Sequence, residues 1–245
     1  MALWRLVVAY EGTRYLGFQR QARSPTVQGE LERAIEDLTG GFSLVRGASR
    51  TDSGVHALGQ VAAFETDYDL AAHKWPGALN ARLDRDLVVM RADVAPPGFD
   101  PQRHAKGKTY RYLLDPAPRP QPLYRRFAMH CPFPLDLVLM RHAAQDLTGT
   151  MDFRSFSGAE KKNTVRTVTA LTIEPKDDLI EILVSADGFL YHMVRNIVGT
   201  LIEIGRGKRD GDMKRILEGR DRSLAGATAP AKGLTLLSVE YPEGT

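Results

Sequence analysis

The chain of 245 residues is 43% hydrophobic and 26% charged, a composition that fills one large domain or two small ones and excludes disorder. A single cysteine, Cys131, excludes a disulfide framework and any four-cysteine zinc site, and points to a reducing compartment. The net charge of +3, with a pI near 9.0, permits nucleic-acid binding without demanding it.

Met1 to Tyr10 is too short, and too interrupted by Arg5, to serve as a signal-peptide core, and residues 5–11 read as a first strand. No stretch approaches the roughly 18 uncharged apolar residues of a membrane span, so a cytoplasmic location is expected. From Thr26, a good N-cap, Val27, Leu31, Ala34, Ile35 and Leu38 fall at helical spacing, and Gly40-Gly41 stops the helix. Strands follow over 42–46 and 60–65, then a helix over 70–83 interrupted at Pro76, then a strand over 87–94 before Pro96-Pro97-Gly98. This is the split βαβ order of ferredoxin-like domains.

The second half repeats that order. It has strands over 109–114, 165–173, 179–186 and 234–241, with helices over 136–147, 192–204 and 212–218. Ala34-Ile35-Glu36-Asp37-Leu38-Thr39-Gly40 and Ala143-Ala144-Gln145-Asp146-Leu147-Thr148-Gly149 end corresponding helices, which fits either an internal duplication or a shared capping solution. The expected fold is therefore α+β: two ferredoxin-like halves, residues 1–105 and 106–245, whose mainly antiparallel sheets flank a central cleft.

Charge is unevenly placed. Residues 1–105 carry 12 basic and 13 acidic side chains, whereas 106–245 carry 21 and 17. Between Lys106 and Arg126, six basic residues (Lys106, Lys108, Arg111, Arg119, Arg125 and Arg126) face one Asp115, with Tyr110, Tyr112 and Tyr124 interleaved. Tyr110 and Tyr112 have strand spacing and share one side of the sheet, as core aromatics or as platforms for bases.

Between the two central strands of the first half lies the polar loop Gly47-Ala48-Ser49-Arg50-Thr51-Asp52-Ser53-Gly54-Val55-His56-Ala57. Asp52 before Ser53-Gly54 suits an Asx turn, and Arg50 a solvated charge. Against that plainer reading stands the density of polar groups between two apolar strands, where a carboxylate acts as nucleophile or base if a cation keeps it ionised. The helix containing Arg195 is apolar almost all round, and a buried guanidinium needs a carboxylate.

Other chemistries lack their motifs. The six histidines show no paired metal-ligand spacing, so no metal is expected. Gly107-Lys108-Thr109 mimics the end of a phosphate-binding loop, but Gln102 stands where its first glycine belongs and a strand follows. Gly205-x-Gly207 follows a helix, and Ser157-Gly158 lacks the glycine two residues before the serine.

Taken in chain order, these residues resemble the tRNA pseudouridine synthase A family. Tyr10-x-Gly12, Gly17-Phe18-Gln19-x-Gln21 and Thr26-Val27-Gln28 match its N-terminal signature, and Arg50-Thr51-Asp52-x-Gly54-Val55-His56-Ala57 its catalytic loop. Tyr110-Arg111-Tyr112, Asp152-Phe153 with Phe156, Gly188-Phe189-Leu190-Tyr191-x-Met193-Val194-Arg195-Asn196 and Gly233-Leu234 with Val239-x-Tyr241-Pro242 follow in order. Ser49 stands where the family usually has glycine, and Met151 where it often has a polar residue.

The resemblance implies isomerisation of uridine to pseudouridine in the anticodon stem-loop of tRNA, typically at positions 38, 39 and 40, by a homodimer without cofactor and with no membrane attachment. It implies Asp52 as the catalytic aspartate, Arg195 as its ion-pair partner, Tyr110 stacked on the target base and Arg50 assisting base flipping. Gln19, Gln21, Lys106, Lys108, Arg111, Arg125 and Arg126 are the expected RNA contacts. Attack at C1′, addition to the uracil ring and abstraction of a ribose proton all stay open to Asp52. A non-catalytic RNA-binding module accounts equally for the basic and aromatic residues but gives Asp52 and Arg195 no task. A nuclease would want metal ligands that this sequence lacks.

Overall fold

In the computed structural model, which describes residues 1–22 and 24–244, the chain divides into two compact units, Met1–Lys106 with Thr235–Thr245 and Gly107–Leu234. The first unit begins with β1 (Ala2–Tyr10), in which Trp4, Leu6, Val8 and Tyr10 alternate onto one buried face. Helix α1 (Val27–Thr39) starts at Thr26, whose hydroxyl accepts from the Gly29 N–H, and ends at Gly40 with φ of 77°. Pro76 does not interrupt the next helix. It sits in the first turn of α2 (Trp75–Asn80), where a missing N–H costs nothing, after a short 3-10 turn over Ala72–Lys74. Trp75 is fully buried with its ring 5.1 Å from Trp4 and 5.3 Å from Phe64, which locks α2 onto the sheet.

The strands of this unit pair in the order β4 (Leu87–Val94), β1, β3 (His56–Thr66), with β1 antiparallel to both neighbours. The strand expected over 42–46 shrinks to β2 (Arg46–Gly47), paired with Ala63 and Ala62 of β3. Before it, the Ser43 hydroxyl rather than a backbone group bonds the Glu65 carbonyl, and Phe42 and Leu44 stay exposed. The C-terminal strand, β10 (Leu234–Glu240), runs parallel to β3 through Thr235 opposite His56 and Leu236 opposite Ala57. Gly59 makes room for it, because a Cβ there would overlap the Leu237 carbonyl. Although last in sequence, it thereby joins the first unit.

The second unit carries the antiparallel ladder β5 (Gly107–Asp115), β9 (Leu179–Ala186), β8 (Val165–Lys176), β7 (Gly149–Asp152). A two-residue β6 (Met129–His130) adds in parallel to β5. Its helices are α3 (Leu137–Gln145), α4 (Met193–Gly205) and α5 (Met213–Gly219). The shared heptapeptide ends differently in the two units: α1 continues to Thr39, whereas α3 stops at Gln145 and Gly149, with φ of 121°, begins β7. Both units are mixed α/β structures on mostly antiparallel sheets. Among the described residues no helix is long and apolar enough to cross a membrane.

Candidate active site

The 47–57 loop is held by the N-terminal signature. Gln60, fully buried on β3, donates from Nε2 to the Ser49 carbonyl at 2.7 Å and accepts the Ser49 N–H at Oε1, a side chain imitating a strand partner. The Phe18 N–H donates to the Thr51 carbonyl at 3.1 Å. The Thr51 hydroxyl meets the Tyr10 hydroxyl at 2.8 Å in a buried contact, with Gln60 Nε2 3.4 Å from the same Tyr10 oxygen. Burial pushes the Tyr10 phenol up to about 12, so it remains a neutral clamp.

Asp52 opens a four-residue turn closed by the Val55 N–H to its carbonyl, with Gly54 at φ of 77° in the third position. Ser53 lacks a positive φ, so this is a type II arrangement that demands glycine at that place. Gly17, at φ of 88°, packs so closely that a Cβ would stand 2.6 Å from the Thr51 carbonyl oxygen, and a Cβ on Gly12 would overlap the Val55 carbonyl. The Gly12 N–H donates to Nδ1 of buried His56 at 2.9 Å, which places the ring proton of the neutral imidazole on Nε2. Ser49 also lacks a positive φ, so the backbone there makes no demand for the family's glycine. Asp52 is half-buried and Arg50 exposed.

Gln28 of the N-terminal signature and buried Glu32, which no motif in the sequence marks, complete this bracket. Gln28 accepts the Arg20 N–H and donates to Glu32, and Glu32 accepts the Val45 N–H and pairs with Arg20 at 3.1 Å. Together they tie α1 to the segment that leads into the loop. Gln60 and Glu32 could have been found as polar side chains standing at apolar positions of a strand and a helix.

In the second unit Tyr110 and Tyr112 do share one face of β5, opposite Val184 and Ile182 of β9. Tyr110 is 6% exposed and meets Phe189 edge-on at 5.1 Å. Tyr112 is fully buried, donates to the Pro230 carbonyl at 2.8 Å, and lies against Gly233, where a Cβ would stand 2.5 Å from its ring. Burial raises its phenol, and the nearby Arg195 charge pulls it partly back.

Arg195 is half-buried on α4 with its Nε donating to the Ala229 carbonyl at 2.7 Å, which sets the direction of the guanidinium. The 226–229 segment is stapled along the helix. Gly226 N–H bonds Thr200, Ala227 N–H bonds Glu203, the Thr228 hydroxyl bonds Asn196, and the Ala229 N–H bonds the Arg195 carbonyl. Gly199 allows the approach, since a Cβ there would overlap the Ala227 carbonyl. Fully buried Asn196 also donates to the Phe156 carbonyl and accepts from Arg222.

The basic stretch from Lys106 to Arg126 does not form one stripe. Strand alternation puts Lys108 on the Tyr110 face and Arg111 on the other, where Arg111 lies 3.9 Å from Glu181. Lys106 is exposed, its N–H bonded to the Glu240 carbonyl. Arg125 and Arg126 are exposed on a loop anchored at buried Asp115, which accepts the Ala117 and Gln121 N–H groups. Gln19 is exposed and lines a cavity of about 320 Å³ with Arg46, Arg50 and Asp100, while Gln21 donates to the Leu16 carbonyl at 2.8 Å. Among the described residues no three His, Cys, Asp or Glu side chains gather as a metal site would require.

The family model described as tRNA pseudouridine synthase matches residues 6–101 and 143–242, stretches that include Asp52 and Arg195 but not Tyr110. A protein of Acetivibrio thermocellus is 44% identical over 240 residues, covering 97% of this chain and 98% of its own. One of a Thermoanaerobacter species is 45% identical over 239 residues (96% and 98%), and one of Streptococcus equi subsp. equi 41% identical over 249 residues (99% and 100%). All three are named tRNA pseudouridine synthase A.

Proposed function

Because the chain belongs to the tRNA pseudouridine synthase family, we propose that it isomerises uridine to pseudouridine in the anticodon stem-loop of tRNA, at positions 38, 39 and 40. The reaction breaks the bond between uracil N1 and ribose C1′, turns the base, and forms a bond from C1′ to C5, the proton lost from C5 being balanced by the proton that N1 gains. Asp52 is the catalytic carboxylate in this reading, and Arg195 is the cation that keeps it ionised and directs it. Tyr110 stacks on the flipped base, and Arg50 offsets part of the few kcal/mol, roughly, that unstacking costs. Gln19, Gln21, Lys106, Lys108, Arg111, Arg125 and Arg126 contact the RNA.

The observation that carries this reading is the bracket around Asp52. Tyr10, Gly12, Gly17 and Phe18, the residues of the N-terminal signature, all act on the backbone or side chains of residues 51–56. An ordinary surface turn needs no such support, whereas a catalytic carboxylate must be held in direction before substrate arrives. We further read both units as split βαβ halves, the first bearing the catalytic loop and the second the Tyr110 strand and the Arg195 helix. The enzyme then works in the cytoplasm as a homodimer without cofactor.

Nucleotide-resolution mapping of pseudouridine in unmodified tRNA tests the proposal. The purified protein is expected to modify the anticodon stem-loop, and Asp52→Asn, nearly isosteric but unable to carry the charge, is expected to bind tRNA and form no product. Turnover by Asp52→Asn near that of the unaltered protein would refute the role of Asp52. Modification confined to another region of the tRNA would refute the site.

A further inference from the structure

The face of the sheet that bears Tyr110 also bears a cluster of cations. Lys108 lies opposite Ala186 of β9, and Ala186 lies opposite Val168 of β8, so all three share a face. Arg166, two residues before Val168 on β8, points to that same face. Gly188 lies beside it: a Cβ there would be in ordinary contact with Arg166, 3.7 Å from its Nε. The guanidinium of Arg166 is steered from below by the Asn163 and Val165 carbonyls, both accepting from Nη1. Lys161, exposed on the 157–164 loop, and Arg166 both act electrostatically on Lys108.

Lys108 and Arg166 thus present an ammonium and a guanidinium on one half-buried face, an arrangement that suits an anion lying across them. Burial, with the charges of Arg166 and Lys161, holds the Lys108 ammonium down to about 8. Asp187, just past the end of β9, accepts the Thr167 N–H at Oδ1 at 3.0 Å.

Lys108 and Tyr110 are two residues apart on one strand, hence about 6.6 Å apart along it. That is the scale of one nucleotide, base to phosphate. We infer that Lys108 and Arg166 form the receptor for a backbone phosphate flanking the uridine that stacks on Tyr110. The inference rests on the proposed function and extends it, because a phosphate held beside the flipped nucleotide fixes which residue of the loop enters the site. The guanidinium supplies paired donors to two phosphate oxygens, and Lys108 acts as a point charge whose protonation the phosphate favours.

The test uses a synthetic anticodon stem-loop in which single phosphates around the target uridine are replaced, one at a time, by uncharged methylphosphonate. Binding and single-turnover rate are measured for the unaltered protein, Lys108→Ala, Lys108→Arg and Arg166→Gln. One flanking linkage is expected to weaken binding by the unaltered protein about 10- to 100-fold, the range of a charge-assisted contact. Lys108→Ala is expected to show that loss with natural RNA and no further loss at that linkage. Lys108→Arg, always charged, is expected to keep most of the affinity and to abolish the decline that the unaltered protein shows as pH rises from 7 to 9 through the Lys108 value. Arg166→Gln separates the cluster from any folding defect specific to position 108. Additive losses at every linkage, or full affinity in both Lys108→Ala and Arg166→Gln, would overturn the receptor while leaving uridine isomerisation intact. Absence of pseudouridine from the reaction of the unaltered protein would overturn the functional reading and the receptor with it.

Discussion

The Tyr10 to Thr51 contact offers a direct measure of how firmly the Asp52 loop is held. Tyr10 is 5% exposed and Thr51 7%, and their hydroxyls meet at 2.8 Å. Tyr10→Phe removes one oxygen and leaves the Thr51 hydroxyl buried with its partner gone, at a cost of about 1–3 kcal/mol. Thr51→Val leaves the Tyr10 hydroxyl only the 3.4 Å contact from Gln60, and should cost a similar amount. The double substitution removes both polar groups together and replaces them with apolar groups of like shape. Its cost should therefore fall about 1–2 kcal/mol below the sum of the two, the coupling expected of directly bonded residues.

Hydrogen exchange reads this locally. The Phe18 N–H is bonded to the Thr51 carbonyl and the Ser49 N–H to Gln60, so both report opening of the loop. Turnover on tRNA should fall by about tenfold or more in each single variant, since small displacements of a catalytic group are costly. Exchange unchanged in Tyr10→Phe, or strictly additive effects in the double variant, would refute the idea that this pair clamps the loop.

Two further outcomes follow from particular geometry. Gly17→Ala combines a positive φ with a Cβ 2.6 Å from the Thr51 carbonyl oxygen, whereas Gly40→Ala has the same backbone problem and nothing within 4 Å. Both should lose about 1–2 kcal/mol from backbone strain, but only Gly17→Ala should also lose turnover, and equal turnover in the two would defeat the argument. At Asp115, burial pushes the carboxyl up, but bonds from the Gln121 and Ala117 N–H groups and the Gln121 side chain outweigh it and hold the carboxyl below its usual range. A depressed folded value contributes stability that is complete above the unfolded value near 4, roughly, and lost as pH falls through the folded one. Unfolding midpoints recorded from pH 7 down to 3 should therefore fall less steeply for Asp115→Asn than for the unaltered protein.

The elements whose signals are local stand where the sequence places them. Thr26 and Gly40 bound α1, and Leu87–Val94 and Leu179–Ala186 are strands to the residue, because caps and alternation act within a few positions. Pro76 misleads for the complementary reason: the same ring that breaks a helix interior is neutral in a first turn, and the burial of Trp75 beneath it decides where that turn lies. Within the candidate site, Asp52 and its loop are legible as a motif, and so are the glycines around it. What the motif does not disclose is the work of Gln60, which substitutes a side-chain amide for a strand partner, or of the 226–229 segment laid along α4 to orient Arg195.

The family, most of the periodic elements and the identity of the polar loop are legible in the chain because each is written in neighbouring residues. Tertiary structure alone decided that Lys108 and Arg111 of one basic run face opposite ways, that β10 returns to pair with β3, and that Arg166 stands on the face of Lys108. Those facts depend on which strand lies beside which and in what register, and register is set by the burial of whole faces against one another rather than by the residues adjacent in the chain.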